Sequence, residues 1–328
     1  MAASKFSDID EYGFKRDDDF DYKGYETVMK SYLTVLTNRR IKWDRYMKKK
    51  PNLFRNNSNQ LKRYVRKGIP VHLRGEVWMT ISGGFQLQKQ SPDLYRSLLK
   101  TQFDADVVES IKIDLPRTFP DNIFFDNIKL QLFNVLIAYA HHNRDVGYCQ
   151  GLNYIAGLIL IVTKDEEWTF WLLKIIVDEI ASSYHTKTMT GLIIDIEVLK
   201  ELLNKRAPQI NQRLDHFGLP LAVVTTKWLI CLFAEVLPIE TVLRIWDCLF
   251  LEGYKILFRV SLTLLLSQKD AILQTEDISG LANLLRDMLK GQTVTNCHQF
   301  INSIFTVPGT LKRSEIEVLR RNVVLEKR

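Results

Sequence analysis

Apolar positions along this chain recur at three- and four-residue spacings in segment after segment, the period of a helix face and not of a strand. Tyr25–Tyr46 carries Val28, Tyr32, Leu33, Leu36 and Ile41 close to one stripe. A polar, asparagine-rich break at Pro51–Ser58 separates it from a short apolar pattern at Leu61–Arg66. Pro70 is placed to open the helix that contains Trp78, and Gly83 and Gly84 to end it. Ser91, Pro92 and Asp93 read as the cap and first two positions of a helix through Leu98 and Leu99. Asp126 is placed to cap a helix burying Ile128, Leu132, Val135, Leu136 and Tyr139. Further helices are predicted over Tyr154–Val162, Glu166–Ile180, Leu192–Leu203 and Leu221–Glu235. Ile239–Phe250, Tyr254–Leu265, Ile278–Leu289 and Thr295–Phe305 follow. Pro208, Gly218, Pro220, Pro238, Gly253 and Gly280 fall near the breaks. No stretch alternates apolar and polar long enough to demand a sheet, and no fixed repeat period is present. The fold class this implies is all-α.

Between Ile111 and Gly157 the pattern is interrupted in a particular way. Arg117 stands between Pro116 and Pro120, and Pro116 is expected to push Leu115 out of helical geometry, so that the preceding helix stops near Asp114. Gly147 and Gly151 bracket Tyr148 and Gln150 in a turn before the next apolar run. Two long polar side chains are thus held at element ends with little slack, which suits groups that reach into another molecule.

The 328 residues allow one large domain or two ordinary ones with a real core, and the low Gly and Pro counts (15 and 9) disfavour an all-β or disordered chain. The acidic start MAASKFSDIDEYGFKRDDDF has no apolar stretch of a signal peptide. The uncharged run Val146–Thr163 opens with Gly, Tyr, Gln, Gly and Asn, and is read as a turn plus a buried helix. Cys149, Cys231, Cys248 and Cys297 lack CxxC spacing and read as reduced, mostly buried thiols of a cytosolic protein. Charge is uneven: residues 1–38 carry five basic and eight acidic side chains, residues 39–67 twelve basic and one acidic. With a total of +7, the rest of the chain is left at −1. The basic segment Arg39–Lys67 would suit a membrane surface, an acidic partner or nucleic acid. A solvated basic face is the preferred reading, because no recognisable nucleic-acid module accompanies it.

Most self-contained chemistry is excluded. The chain has no GxxxxGK[ST] or GxGxxG loop for a nucleotide. His141 and His142 are adjacent, without the i, i+4 spacing of a helical zinc site, and fit a helix end where they complement the dipole. Cys149 is read as a buried inert thiol, and Trp246-Asp247 as a buried indole beside a helix-end carboxylate.

Taken together, GIPVHLRGEVW (Gly68–Trp78), IKIDLPRT (Ile111, Asp114, Arg117, Thr118) and YCQGLN (Tyr148, Gln150, Gly151, Asn153) resemble the TBC domain of Rab GTPase-activating proteins. The later block TTKWLICLFAEVLPIETVLRIWDCLFLEG is similar to the C-terminal half of that family, and the match runs from Gly68 to Gly253 and more loosely toward Pro308. The resemblance implies a multi-helix TBC domain core at 68–255, preceded by an acidic-then-basic helical extension at 1–67 and followed by packing helices at 256–328. It implies an enzyme regulator that supplies Arg117 as an arginine finger and Gln150 as a glutamine finger to a GTP-bound Rab, acting in vesicle trafficking. GTP and Mg²⁺ would be carried by the partner GTPase, with no cofactor or metal of the chain's own. Physics suits both roles: a guanidinium stabilises charge on the transferring phosphoryl group, and an amide orients the attacking water. Tyr148 is expected beside Gln150, either facing the GTPase or in the core. Asp114 is expected either to fix the Arg117 loop or only to cap a helix. Asn153 is expected to support the glutamine turn, and Arg74, with Trp78 and Ile111, to be structural. A cytoplasmic protein follows, with weak peripheral contact to endomembranes through Arg39–Lys67 and no nucleic-acid partner. The competing reading is a Rab-binding or scaffold module without catalysis; retention of both Arg117 and Gln150 argues against it.

Overall fold

The computed structural model describes residues 7–16, 18, 20–49 and 59–326. Among these residues the fold is all-α, with extended pairing confined to isolated bridges at Ile9–Lys15 and Phe14–Asn122. The chain forms two compact units, Met1–Lys174 and Ile175–Arg328.

The first unit begins with the long α1 (Tyr22–Lys49) and the short α2 (Asn59–Lys67). Then come α3 (Arg74–Ile81), α4 (Gly84–Gln90), α5 (Leu94–Leu98), α6 (Ala105–Asp114), α7 (Phe125–His142), α8 (Leu152–Thr163) and α9 (Glu166–Ile175), whose last residue opens the second unit. Helix α8 organises this unit. Its sequence is apolar nearly all round, so it is stable only where other helices cover it, and α3 and α7 both pack on it. Leu152, Ile155, Leu158 and Ile159 are buried, as are Leu132, Leu136 and Tyr139 on α7. None of the described helices is long and apolar enough to cross a membrane.

The basic segment is partly docked. Trp43 Nε1 donates to the Gly68 carbonyl at 3.0 Å, Tyr46 stacks on Tyr64 at 5.0 Å between ring centroids, and Leu61 and Val65 are buried. Arg40, Lys42, Arg45, Lys48 and Arg63 remain exposed. The polar break Pro51–Ser58, with Leu53 and Phe54, lies outside the described residues.

After Ile175 the second unit continues through a π-helical turn at Ile176–Ile180, followed by α10 (Thr190–Asn204), α11 (Pro208–His216), α12 (Leu221–Ile230) and α13 (Ile239–Glu252). It ends with α14 (Lys255–Ser267), α15 (Lys269–Gln274), α16 (Ile278–Asp287), α17 (Gln292–Thr295), α18 (Cys297–Thr306) and α19 (Arg313–Glu326). Helix α13 is buried along nearly its whole length, with α14 and α18 packed on it. Trp246 donates from Nε1 to the Leu232 carbonyl at 2.9 Å. Its neighbour Asp247 is fully buried in mid-helix, where a helix-end carboxylate was expected, because α13 runs on to Glu252.

Several boundaries differ from the periodic pattern. Pro208, expected as a break, is the first residue of α11, where a missing N–H costs nothing. Gly84 ends no helix but opens α4, and α5 is capped at Asp93 and not at Ser91. Asp126 is not the cap of α7: Phe124 holds that position, and Asp126 pairs with Lys129 at 2.5 Å one turn on. Helix α12 stops at Ile230, short of Glu235, because buried Leu232 and Phe233 adopt φ of 48° and 69°. Asn296 divides the predicted Thr295–Phe305 helix, its side chain accepting from the Gln299 amide at 3.1 Å to start α18. Tertiary burial overrode local pattern in each apolar case.

Candidate functional site

Helix α6 ends at Asp114, as expected, but Leu115 keeps helical angles (φ −54°, ψ −48°) despite the proline that follows. The chain tightens into a 3-10 turn, Leu115–Arg117, where Pro116 sits at a position that needs no N–H donor. The break falls later, at Thr118 (ψ 116°). Arg117 therefore stands one short turn after Asp114, close enough for its Nη2 to pair with Asp114 Oδ1. The Asp114 side chain is only 4% exposed, whereas the Arg117 side chain is 51% exposed. The guanidinium is tied at one edge and open to solvent at the rest.

The other oxygen of Asp114 accepts from the Tyr148 hydroxyl at 2.5 Å. Burial, then this hydrogen bond, push the Tyr148 phenol far above its ordinary range, so it stays a proton donor to the carboxylate. Burial and the nearby Asp114 charge likewise raise the Cys149 thiol, which argues against a nucleophilic thiolate there.

A second chain of hydrogen bonds joins the Arg117 loop to the Gln150 turn. Thr118 Oγ1 donates to the Asp114 carbonyl at 2.7 Å and accepts from Asn153 Nδ2 at 2.7 Å. Asn153 Oδ1 then accepts from the Gly151 amide at 3.0 Å. Thr118 and Asn153 are both fully buried, so this link is shielded from competing water. Gly151 has φ 109°, a conformation disfavoured for side-chain-bearing residues, and it turns the chain into α8 while leaving Gln150 exposed at the helix start. The Arg117 loop also needs close approach to α8. A Cβ at Gly157 would come within 3.3 Å of the Phe119 ring and 3.4 Å of the Thr118 methyl, which leaves little room for any larger residue.

Of the residues expected to support the site, Asp114, Tyr148 and Asn153 lie in this network. Arg74 stands apart from it in the connections described: buried in the first turn of α3, it donates to the Ile69 carbonyl at 3.0 Å and to the Tyr12 hydroxyl. Trp78 and Ile111 are fully buried. Tyr154, which the sequence did not single out, donates from its hydroxyl to the Arg117 carbonyl at 3.1 Å. Its place one turn after Gln150, on the first turn of α8, was the available signal. No group of three or more His, Cys, Asp or Glu among the described residues is arranged to hold a metal ion.

Comparison with known proteins decides the family. The Rab-GTPase-TBC domain model matches residues 71–273. The chain belongs to this TBC family. Growth hormone-regulated TBC protein 1-A of Danio rerio is 44% identical over 326 residues, covering 98% of this chain and 91% of the relative. Growth hormone-regulated TBC protein 1 of Homo sapiens is 42% identical, covering 97% and 96%. Among solved structures, the Chlamydomonas flagellar RabGAP TBC domain superposes with a TM-score of 0.76 at 31% identity, over 90% of this chain and 99% of that one. The Ypt/Rab-GAP domain of Gyp1p shares the fold, with a TM-score of 0.70 at 20% identity over 83% and 98%.

Proposed function

We propose that this TBC chain accelerates GTP hydrolysis on a Rab-type small GTPase by inserting Arg117 as an arginine finger and Gln150 as a water-orienting amide. The observation that carries this reading is a half-exposed guanidinium paired through Nη2 with a buried carboxylate that also accepts from Tyr148, on a loop joined through Thr118 and Asn153 to the Gln150 turn. Both side chains reach solvent, Arg117 tethered at one nitrogen by Asp114, while their backbones are held, which is the preorganisation that phosphoryl transfer rewards. GTP and Mg²⁺ come with the GTPase; the finger residues complete the partner's site. Ile113, Ile123 and Phe124, exposed on either side of the Arg117 loop in sequence, favour a protein surface as the partner over a small molecule. Membrane recruitment is expected to follow the GTPase, on endomembranes within the cytoplasm.

The test is phosphate release from a panel of GTP-loaded Rabs with and without the protein. At least one member is expected to be stimulated. Arg117→Lys and Arg117→Ala are each expected to lose ~10³–10⁵ in stimulated rate, on the order of 4–7 kcal/mol of barrier lowering, with the fold unchanged. Lysine lacks the planar fork and rescues little. Near-normal stimulation by Arg117→Lys removes the finger assignment; binding without stimulation by the unaltered protein makes the chain a recognition module.

A further inference from the structure

The segment 7–16 precedes the region that matches the family, 71–273. It folds tightly on itself: the Arg16 amide donates to the Asp8 carbonyl at 2.7 Å, and the Asp10 carboxylate accepts from the amides of Tyr12 and Phe14, both at 2.9 Å. This hairpin then lies along the loop that follows Arg117. The Ile123 amide donates to the Gly13 carbonyl at 2.9 Å and the Lys15 amide to the Asp121 carbonyl at 3.2 Å. Asn122 Nδ2 donates to the Tyr12 carbonyl at 2.9 Å. Gly13 is required at the contact, with φ +88° and no room for a Cβ, which would fall 2.4 Å from the Phe124 ring.

Side chains continue the contact toward Arg117. Phe14 packs edge-on against Phe119 at 5.2 Å between centroids, and Phe119 packs edge-on against Tyr154 at 5.3 Å. Tyr154 in turn holds the Arg117 carbonyl. Phe119 has φ 46°, in the left-handed region that residues with a side chain seldom adopt, so the loop conformation has to be sustained by its neighbours.

We infer that residues 7–16 are a brace for the Arg117 loop, and that Phe14 is a positioning residue for the stimulated step and not for GTPase binding. This rests on the finger reading of Arg117. A misplacement of the finger by a fraction of its reach lowers the rate while leaving the docking surface intact.

The experiment uses the full chain carrying Phe14→Ala, Phe14→Leu or Gly13→Ala, with a GTPase that the unaltered protein stimulates. Phe14→Ala is expected to lower the saturating stimulated rate roughly ten-fold, with the half-saturating concentration changed less than about two-fold. Gly13→Ala, whose Cβ displaces the exposed Phe124 ring, is expected to lower the rate and to raise the half-saturating concentration as well. Phe14→Leu restores most of the rate, since it keeps apolar bulk against Phe119. Hydrogen exchange at the Thr118, Asn122 and Ile123 amides reads the brace without any GTPase. In Phe14→Ala these amides are expected to exchange roughly ten-fold faster while the α13 amides keep their protection. A full saturating rate in a variant whose Ile123 amide has been freed overturns the inference. So does an unprotected Ile123 amide in the unaltered protein, or a loss that appears only as weaker binding. Should no GTPase be stimulated at all, the proposed function fails, and unchanged Thr118 and Asn122 exchange in Phe14→Ala would then separately overturn the brace.

Discussion

A guanidinium that is to enter another protein's active site has two needs, a held backbone and an accessible tip: the Tyr154 hydroxyl holds the Arg117 carbonyl, and the guanidinium, paired through Nη2 with Asp114, is otherwise half exposed. Gln150 meets them differently: its side chain is exposed, and its backbone is fixed by the Gly151 turn, which Asn153 holds. If Gln150 orients the water, a Rab whose own switch glutamine is replaced by leucine should still be stimulated. Gln150→Ala should lose most stimulation yet still bind the GTP-loaded partner, as measured by phosphate release beside a pull-down. Complete dependence on the partner's glutamine would leave only the arginine half of the mechanism. The residue types and their order were legible in the sequence, and so was the stop of α6 at Asp114. That Asp114 uses both oxygens, one for Tyr148 and one for Arg117, was not, because those partners lie 34 and three positions away and only folding selects between a cap and a brace.

Helices that look alike in periodicity differ in what they present. Helices α1 and α2 meet through Trp43 and Tyr46 on Tyr64, and α2 buries Leu61 and Val65, leaving several lysines and arginines in water. Each basic residue near an anionic surface contributes up to about 1 kcal/mol, screened by salt within a Debye length, and only those facing one way act together. Weak, salt-sensitive binding to anionic liposomes is therefore expected. Charge reversal of Lys48 with its neighbours Lys49 and Lys50 should reduce sedimentation at low salt and leave solution stimulation of a soluble Rab largely unchanged. Unchanged sedimentation would make the stretch an ordinary solvated face; a large loss of solution activity would place it at the GTPase interface. Short helices such as α4, α11 and α15 escaped the sequence reading because a few turns supply too few repeats of the apolar stripe, and their burial is assigned by neighbours.

In the second unit, His185 is fully buried and donates from Nε2 to the Ile230 carbonyl at 2.8 Å, while Nδ1 is buried with no hydrogen-bond partner among the described residues. Burial pulls its pKa from 6.5 down to about 4, only partly opposed by that hydrogen bond. The unfolded chain then binds a proton more readily than the folded one. This contribution is fully present above pH 6.5, is lost as pH falls toward 4, and amounts to roughly 3 kcal/mol. Denaturant titrations from pH 7 to 4 should show His185→Gln flattening the decline over this window; an identical pH dependence in both proteins would remove His185 as its cause. The sequence by itself determined the all-α class, the turns that carry Arg117 and Gln150, and the absence of a familiar nucleotide loop. Each of these is set by local period, proline and glycine geometry, or residue order. Tertiary structure alone decided that Phe14, more than a hundred residues upstream, lies in the contact chain leading to Tyr154 and Arg117. It also decided that Asp247 and His185 are buried and that Leu232 and Phe233 end a helix their pattern would continue. Such outcomes depend on which surfaces meet, and contact between distant segments leaves no period in the chain.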